Sequence, residues 1–410
     1  MLSHGINLGR IFGIRIAVDW SLIVIFLLVV FNLAAGVFPS WHPDWYPALT
    51  WGVAFLAAVL FFLSVLAHEL AHALVARAYA IPVRRITLFL LGGLADIEEE
   101  PSSPKIEALM AIAGPLVSIA LGFGFSMMGG LLAAASMDRA IDPTVDPMLA
   151  VQHMGPLATL LTWLGPVNVI IGIFNLIPAF PLDGGRVLHA GLWAATGDQA
   201  KSTRWSSRVG QTFGWLLIVT GFAMAFGLRV PFFGAGLVGG LWLAFIGWFL
   251  SNAASMSYRQ QLIKGMLKDV PIARLMRRKL PAALDAELPV SALVDEIMRT
   301  GQQEFLLVAD GRPIALARTG DVRRIDRARW ETTPLREIAT PLQMLPAVDV
   351  NEDAYDVLRR MLRSENDGKL ALVLENGAIR GIVRHDDILR FIELQTEDRS
   401  RRAGTPAYER

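Results

Sequence analysis

Long stretches without charged residues dominate the first 255 residues of the chain. Six of them match the thickness of a membrane, since a transmembrane helix needs about 20 mainly apolar residues. The buried helices of a soluble protein rarely supply six such runs in so short a chain. The pattern therefore predicts six transmembrane helices, at residues 20–38, 45–67, 108–137, 147–182, 209–228 and 230–258.

The loops between these runs differ in positive charge. Cytoplasmic loops of membrane proteins carry an excess of Lys and Arg. Here the positive residues lie before the first run, in alternate loops and after the sixth run, so we expect both termini to be cytoplasmic. The residues are Arg10, Arg15, Arg77, Arg84, Arg85, Lys105, Arg186, Lys201, Arg204, Arg208, Arg259, Lys264 and Lys268.

Short alternating strands and helices replace the apolar runs after Tyr258. A helix, a strand, a two-residue turn, a second strand and a second helix occur in this order twice, about 70 residues apart, which predicts two copies of one α/β module. The turns are Asp310-Gly311 and Asn376-Gly377, dipeptides typical of β-hairpins. The predicted elements cover residues 290–300, 304–309, 313–317 and 320 onwards, then 352–364, 369–374, 379–383 and 386–394.

The distribution of charge supports this division. Residues 1–255 carry 12 Lys/Arg and 13 Asp/Glu, whereas residues 256–410 carry 26 and 24. A net charge of +1 offers no excess of basic charge for binding nucleic acid. The chain has no cysteine, which excludes disulfides, cysteine-based metal sites and a thiol nucleophile. Any metal site must therefore use His, Asp or Glu.

One short motif carries recognisable chemistry. Residues 68–72 read His-Glu-Leu-Ala-His, and on a helix His68 and His72 share one face, so both can reach one metal ion. Glu69 can act as a general base beside that ion. The motif ends the second uncharged run, and ionisable groups at membrane depth are costly and usually functional.

Zinc needs a third protein ligand and one open position. The extended motif of soluble zinc proteases fails, because Val75 and Ala78 occupy its further positions. Glu107 lies in a polar stretch that reads more simply as a solvated face. Asp183 is the better candidate, because it directly follows the fourth uncharged run. His189, six residues later, is either a structural histidine or a supporting residue near the site.

These motifs resemble the site-2 protease family of intramembrane zinc metalloproteases. The resemblance rests on HExxH in the second span and on Asn-x-x-Pro-x-x-x-Leu-Asp-Gly, residues 175–184, near the end of the fourth, and it covers about residues 8–250. Gly114-Pro115 resembles a Gly-Pro element in the family's third span. Residues 81–97, with Gly92-Gly93, resemble its membrane-re-entrant β-hairpin.

The resemblance implies roles for individual residues. His68, His72 and Asp183 would bind one zinc ion per chain, Glu69 would be the general base, and Asn175 would orient the substrate or its oxyanion. The implied activity is hydrolysis of peptide bonds within transmembrane segments of other membrane proteins, in a prokaryotic plasma or inner membrane. The alternatives are a membrane transport protein and an inactive scaffold. The intact set of candidate residues argues against the scaffold.

The soluble repeat resembles a pair of cystathionine-β-synthase (CBS) domains. Such pairs often bind adenine nucleotides through Gly-x-x-Thr/Ser-x-x-Asp, in which the Asp contacts the ribose. Here Asp321 and Asp387 match that position, but Arg318 and Arg384 replace the hydroxyl residue, although Arg can bind phosphate. Adenine-nucleotide control and a ligand-independent clamp or homodimer contact therefore both remain open.

The expected fold is thus a polytopic α-helical membrane protein with six transmembrane helices and a re-entrant β-hairpin, joined to a soluble α/β CBS pair. The predicted parts are a membrane protease domain, a linker, two CBS domains and a disordered tail. Their bounds are residues 1–255, 256–269, 270–330, 331–396 and 397–410.

Overall fold

The computed structural model describes residues 5–90, 92–97, 101–136, 147–231, 234–363 and 369–402. It divides into two compact units, Met1–Arg259 and Gln260–Arg410. The first unit consists mainly of long apolar helices, and the second consists of two small sheets with helices. This is the expected combination of a helical membrane protein with an α/β CBS region.

Helices form most of the first unit. α1 continues through a π-helical turn, Leu33–Val37, into α2, and α9 runs on past the boundary between the units. Proline occupies the first turn of α3 and α6, where its missing N–H costs no hydrogen bond. The helices are α1 (Trp20–Asn32), α2 (Phe38–Trp41), α3 (Pro47–Ala78), α4 (Pro104–Ser136), α5 (Pro147–Gln152), α6 (Pro156–Asn175), α7 (Asp183–Thr196), α8 (Gln199–Ala225) and α9 (Leu237–Leu267).

The number of spans differs from the sequence-based prediction. Within the described residues, five helical segments are long and apolar enough to cross a membrane, rather than six. The predicted run 209–228 falls in α8, whose first half carries Lys201, Arg204 and Arg208. Its uncharged part, residues 209–225, counts 17 residues, at the lower limit for a span, and includes the polar Gln211 and Thr212, so it is less apolar than the five qualifying segments.

A four-stranded sheet packs against one end of α3. Its strands are β1 (Ile6–Ile11), β2 (Ile14–Val18), β3 (Val83–Phe89) and β4 (Gly92–Ile97), in that order across the sheet. β3 and β4 form the predicted hairpin, whereas β1 and β2 were not predicted. β2 pairs in parallel with β3, and Ile16 and Ile86 on these strands pack against Ala73 of α3. The sheet thus braces the end of the helix that carries the HExxH motif.

Glycines bring α4 and α6 close together. A Cβ atom on Gly165 would lie 2.2 Å from Ser126 Oγ, and one on Gly172 would lie 2.9 Å from the carbonyl oxygen of Pro115. Small residues of this kind let helices in membrane proteins approach closely. α4 consequently lies between α3 and α6, at the centre of the candidate site described below.

The second unit contains the repeated module. One sheet has the order β5-β6-β7-β8 and the other β11-β10-β9, and leucines from both sheets, among them Leu306, Leu316 and Leu372, share one buried cluster. The elements are β5 (Ala283–Asp285), α10 (Val290–Thr300), β6 (Glu304–Ala309), β7 (Arg312–Arg318), α11 (Thr319–Val322), β8 (Thr340–Pro341), β9 (Ala347–Asp349), α12 (Ala354–Arg363), β10 (Leu370–Glu375), β11 (Ala378–Arg384) and α13 (His385–Arg402).

The two predicted hairpins are present. β6 pairs with β7 and β10 with β11, both antiparallel, with the predicted dipeptides between them. Asp310, Gly311, Asn376 and Gly377 all have positive φ, as a type I′ turn requires. α13 continues to Arg402, beyond residue 397, where the predicted disordered tail begins, and residues 403–410 lie outside the described residues.

Candidate metal centre

The two histidines of the HExxH motif lie one helical turn apart on α3. Their ring centroids are 4.8 Å apart, and the residues are only 5% and 7% exposed. A spacing of four residues puts both imidazoles on the same face of the helix. That face is directed at α4 and α7, since His68 contacts Ser118 and Asp183.

The loop between α6 and α7 delivers Asp183 to these imidazoles. Asp183 is the first residue of α7, and the two glycines after it pack against the loop before it. A Cβ atom on Gly184 would lie 2.2 Å from the carbonyl oxygen of Leu176, and one on Gly185 would lie 2.4 Å from the nitrogen of Phe180. The Asp-Gly-Gly sequence therefore lets the start of α7 pack closely on the preceding loop, which places the Asp183 carboxylate at the two imidazoles.

Three ligand-type atoms converge at this point. Asp183 Oδ2 lies 3.1 Å from His68 Nε2 and 3.3 Å from His72 Nε2, and the candidate ligand atoms are all within 4.8 Å of one another. Nitrogen and oxygen ligands at 2.0–2.2 Å from a tetrahedral zinc ion are separated by about 3.3 Å. The observed spacing fits such an ion.

Hydrogen bonds on the far side of each ring determine which atoms face the centre. His72 Nδ1 lies 2.6 Å from the carbonyl oxygen of Met110, which only accepts, so Nδ1 carries the proton. In the neutral ring, Nε2 then directs a lone pair at Asp183. At 3.3 Å, His72 Nε2 and the carboxylate oxygen of Asp183 share one position, which either a proton on Nε2 or a metal ion would occupy.

Gly114 leaves the space that such a cation needs. A Cβ atom at this position would lie 2.2 Å from His72 Nε2 and 2.6 Å from His68 Nε2. Any other residue would therefore fill the volume in front of both imidazole nitrogens. The chemistry of the donors, their spacing and this cradle all fit a zinc ion.

The base candidate Glu69 lies against the β-hairpin. A Cβ atom on Gly93 would lie 2.2 Å from Glu69 Cγ and 2.8 Å from Glu69 Oε1. β4, which contains Gly93, pairs only with β3 within the described part of the sheet and forms its edge. The structure therefore brings together the candidate base, the candidate ligands and a strand edge.

Asn175 is the last residue of α6, close in sequence to the loop that carries Asp183. Its side-chain amide donates to the carbonyl oxygen of Ile171, one turn earlier on the same helix, at 3.1 Å. This bond fixes one end of the Asn175 amide. Contact between Asn175 and a substrate stays a prediction.

Two further residues lie near the centre, and one of them, Glu107, departs from the sequence-based interpretation. Glu107 is not on a solvated face: it lies in the first turn of α4 and is only 8% exposed. His189 Nδ1 donates to Glu107 Oε2 at 2.8 Å, and His189 is 4% exposed. Neither residue belongs to a sequence motif, and only the packing of α7 on α4 brings them together.

In the CBS region, protein contacts engage all four candidate nucleotide residues. Asp387 receives a bidentate ion pair from Arg277, with Nη2 at 2.7 Å and Nε at 3.0 Å. These bonds also raise the pKa of Arg277, which stays charged. Asp321 is 2% exposed, and its carboxylate accepts from the backbone nitrogen of Arg318. Arg384 Nη1 lies 3.3 Å from Glu304.

Two known family patterns match the chain. The pattern of Peptidase family M50 matches residues 56–218, and the pattern of the CBS domain matches residues 335–394. The first range contains the four proposed site residues His68, Glu69, His72 and Asp183. The second covers the second copy of the soluble repeat.

Relatives match nearly the whole chain. It is 32% identical over 396 residues to "Putative zinc metalloprotease Rip3" of Mycobacterium tuberculosis, covering 96% of this chain and 94% of that one. It is 26% identical over 399 residues to "Zinc metalloprotease MJ0392" of Methanocaldococcus jannaschii, covering 97% and 99%. Among solved structures, "Site-2 Protease from Methanocaldococcus jannaschii" is 27% identical and covers 62% of this chain and 96% of that chain, with a TM-score of 0.40.

Proposed function

The chain belongs to peptidase family M50, the site-2 proteases, and we propose that His68, His72 and Asp183 hold its zinc ion while Glu69 is its general base. As a member of this family it is an intramembrane zinc metalloprotease that acts on membrane proteins. One observation carries the assignment of residues: two buried imidazole nitrogens face one carboxylate oxygen at 3.1 and 3.3 Å, across the space left by Gly114.

The zinc ion supplies Lewis acidity, which lowers the pKa of water toward about 7 and polarises a carbonyl group. The residues of the chain do the rest. Met110 and Ser118 hold the two imidazoles so that both Nε2 atoms face the centre. Asp183 supplies a negative charge from a different helix. Three protein side chains would therefore hold the ion.

Glu69 moves the proton. It follows His68 directly on α3, so its carboxylate lies beside the ligands without being one of them. In the proposed mechanism it accepts a proton from the attacking water and passes it to the leaving amine. Contact with Gly93 keeps this side chain next to the strand edge where a substrate backbone would lie. Asn175 is proposed to orient the substrate or its oxyanion.

A helical substrate must unwind before it can react, because its carbonyl groups are engaged in hydrogen bonds within the helix. We propose that the unwound segment pairs with the edge of β4. Adding a strand to an exposed sheet edge is a common way to bind an extended peptide. The support is the position of Gly93, which lies on that strand and against Glu69.

The variant Glu69→Gln tests the assignment of the base. The amide has nearly the same size but cannot accept a proton, while all three proposed ligands remain. We expect zinc content to stay at the wild-type value, one ion per chain, and cleavage of a membrane-protein reporter to fall by orders of magnitude. Asp183→Ala is the matched variant, because it should lose zinc. Strong cleavage by Glu69→Gln with zinc bound would refute the assignment.

For the CBS pair we propose an adenine nucleotide as the regulatory ligand, with Asp321 or Asp387 on the ribose and Arg318 or Arg384 at a phosphate. The ion pair between Arg277 and Asp387 bears on this proposal. A ribose that bonds Asp387 must displace Arg277, which lies ten residues after the end of α9, in the segment that joins α9 to the CBS module. Binding would therefore break this side-chain ion pair, while the backbone hydrogen bonds between Arg277 and Ile382 would stay in place.

Calorimetric titration of the full-length protein with ATP, ADP and AMP tests this proposal. We expect Arg277→Ala to bind nucleotide more tightly than the wild type, since the competing guanidinium is gone. Asp387→Ala should bind more weakly. Arg380→Ala is the matched control, because it also removes an arginine ion pair, the exposed one with Glu375 on the β10–β11 hairpin. If neither the wild type nor Arg277→Ala releases heat with any of these nucleotides, the proposal is refuted and the CBS pair is a ligand-independent clamp.

We also propose that both termini are cytoplasmic, which requires an even number of crossings and therefore α8 as a sixth span beside the five qualifying segments. We further propose that the CBS region pairs with a second copy. The distribution of Lys and Arg supports the orientation. Since the chain has no native cysteine, single cysteines introduced near either end can be labelled in intact cells and inverted vesicles. Labelling from outside intact cells would contradict the orientation. Sedimentation of the detergent-solubilised chain as a monomer would contradict the homodimer.

A further inference from the structure

We propose that Glu107 and His189 are positioning residues for the metal centre: their buried pair fixes α7, and with it Asp183, against the helix that holds both imidazoles. This inference rests on the proposed zinc centre. It assigns a role to two residues that touch neither the ligands nor the base in the contacts described above. The argument has three parts: the contacts of the pair, its place on α4, and the way in which α7 is otherwise held.

The contacts of the pair join three helices. His189 of α7 donates from Nδ1 to Glu107 of α4 at 2.8 Å, and its Nε2 lies 3.0 Å from Thr203 Oγ1 of α8. Thr203 in turn donates to the carbonyl oxygen of Gln199 at 2.9 Å. Glu107, His189 and Thr203 are all less than 9% exposed. Each ring nitrogen thus has a partner on a different helix, which fixes both the position and the tilt of the ring.

Glu107 shares a face of α4 with the groups that hold the metal centre. Met110, Gly114 and Ser118 follow it at steps of three, four and four residues, the spacing of one helical face. Met110 accepts from His72, Gly114 leaves the space in front of both imidazoles, and Ser118 contacts His68. One stripe of α4 therefore positions both histidine ligands and, through Glu107, the helix that bears the third ligand.

Among the fully buried residues of α7, only His189 makes a directional side-chain contact. The buried residues of α7 are Gly184, Gly185, His189 and Ala190. The glycines and the alanine allow close packing, but they make no directional side-chain contact. His189 is six residues from Asp183, about 9 Å along the helix axis. A rotation of α7 about His189 would move the Asp183 carboxylate away from the Nε2 atoms of His68 and His72.

The chemistry of the pair points the same way. A buried ion pair is often no more stabilising than an apolar pair of the same size, because both groups lose their hydration. Apolar contact has no preferred direction, whereas a hydrogen bond does. The contribution that only the polar pair can make is therefore geometric.

The double variant Glu107→Leu/His189→Leu separates this role from stability, because it leaves no unpaired polar group. In the full-length protein we expect a melting temperature of the zinc-free form near the wild-type value. Zinc affinity, measured by competition with a chelator, should fall about tenfold, the lower end of the effect of removing a group bonded to a metal ligand, because this pair acts through the position of α7. The visible spectrum of the cobalt-substituted protein should differ from that of the wild type, because the ligand geometry changes. On a reporter with one apolar segment, kcat should fall while KM stays constant.

Two controls frame the result. Glu107→Gln keeps an acceptor for His189 Nδ1 and should stay within about twofold of wild type, since the hydrogen bond is retained. His42→Leu/Thr159→Val removes a comparable buried pair, 2.7 Å apart, near the opposite end of α3. It should leave zinc affinity and the cobalt spectrum unchanged.

Wild-type zinc affinity and cobalt spectrum in the double variant would overturn the proposal, and so would an effect confined to the melting temperature. If the double variant does not accumulate in cells, the zinc affinities of Glu107→Met and Glu107→Gln are compared instead. Equal affinities overturn the proposal, and weaker zinc binding by Glu107→Met supports it. A wild-type chain that binds no zinc would refute the metal centre itself, and this inference with it.

Discussion

Replacing Gly114 by Ala is the most direct test of the metal centre. The change adds one methyl group on the face of α4 that meets both histidines, and it replaces no proposed ligand. That methyl carbon would lie 2.2 Å from His72 Nε2 and 2.6 Å from His68 Nε2. Both contacts are shorter than 3.0 Å, a separation that real Cβ atoms essentially never fall below.

The size of the effect follows from these distances. To restore 3.0 Å, His72 Nε2 must move by at least 3.0 − 2.2 = 0.8 Å and His68 Nε2 by 3.0 − 2.6 = 0.4 Å. Both movements shift ligand atoms whose spacing now fits a zinc ion. A displacement of about 1 Å at a catalytic centre can cost about a hundredfold in rate. We therefore expect weaker zinc binding and a fall in kcat of about a hundredfold.

The assay measures zinc content, zinc affinity and cleavage of a membrane-protein reporter in detergent. Gly130→Ala is the matched control, because it makes the same change in α4 at a position with no atom within 4 Å. That substitution should stabilise the helix by about 0.5–1 kcal/mol and leave activity intact. If Gly114→Ala binds zinc and cleaves like Gly130→Ala, the placement of the metal between the two Nε2 atoms is wrong.

Three further predictions concern the surroundings of the centre. Gly93→Ala should retain zinc but lose most of its cleavage, because the new methyl group would lie 2.2 Å from Glu69 Cγ; loss of zinc instead would contradict the separate roles of base and ligands. Ser118→Ala removes the partner of His68 Nδ1 at 2.9 Å and should weaken zinc binding about 10- to 100-fold by chelator competition, whereas unchanged affinity would exclude Ser118 as a support. Gly or Asn residues near the cut in a substrate, replaced by Leu, should slow cleavage, since Leu favours helix and unwinding precedes attack; rates that do not depend on helicity would count against unwinding.

Two kinds of strand pairing show where a local sequence pattern specifies the structure and where it does not. The pairing of β6 with β7 and of β10 with β11 depends on short alternating strands and on Asp-Gly or Asn-Gly between them, so nearby residues specify it. The pairing of β2 with β3 joins residues such as Ile16 and Ile86, which lie far apart in the chain. No periodicity within either segment identifies the other as its partner.

The candidate site divides in the same way. The sequence alone determined that His68 and His72 share a helical face and that Asp183 follows a long apolar run, because helical spacing and hydropathy are local properties. It also made Asp183 a candidate ligand, although 115 residues separate it from His68. Only the tertiary structure placed Gly114 in front of the imidazoles, buried Glu107 against His189, and joined Arg277 to Asp387. Such contacts depend on how helices and strands pack, and the local sequence around a residue does not specify which distant residue it contacts.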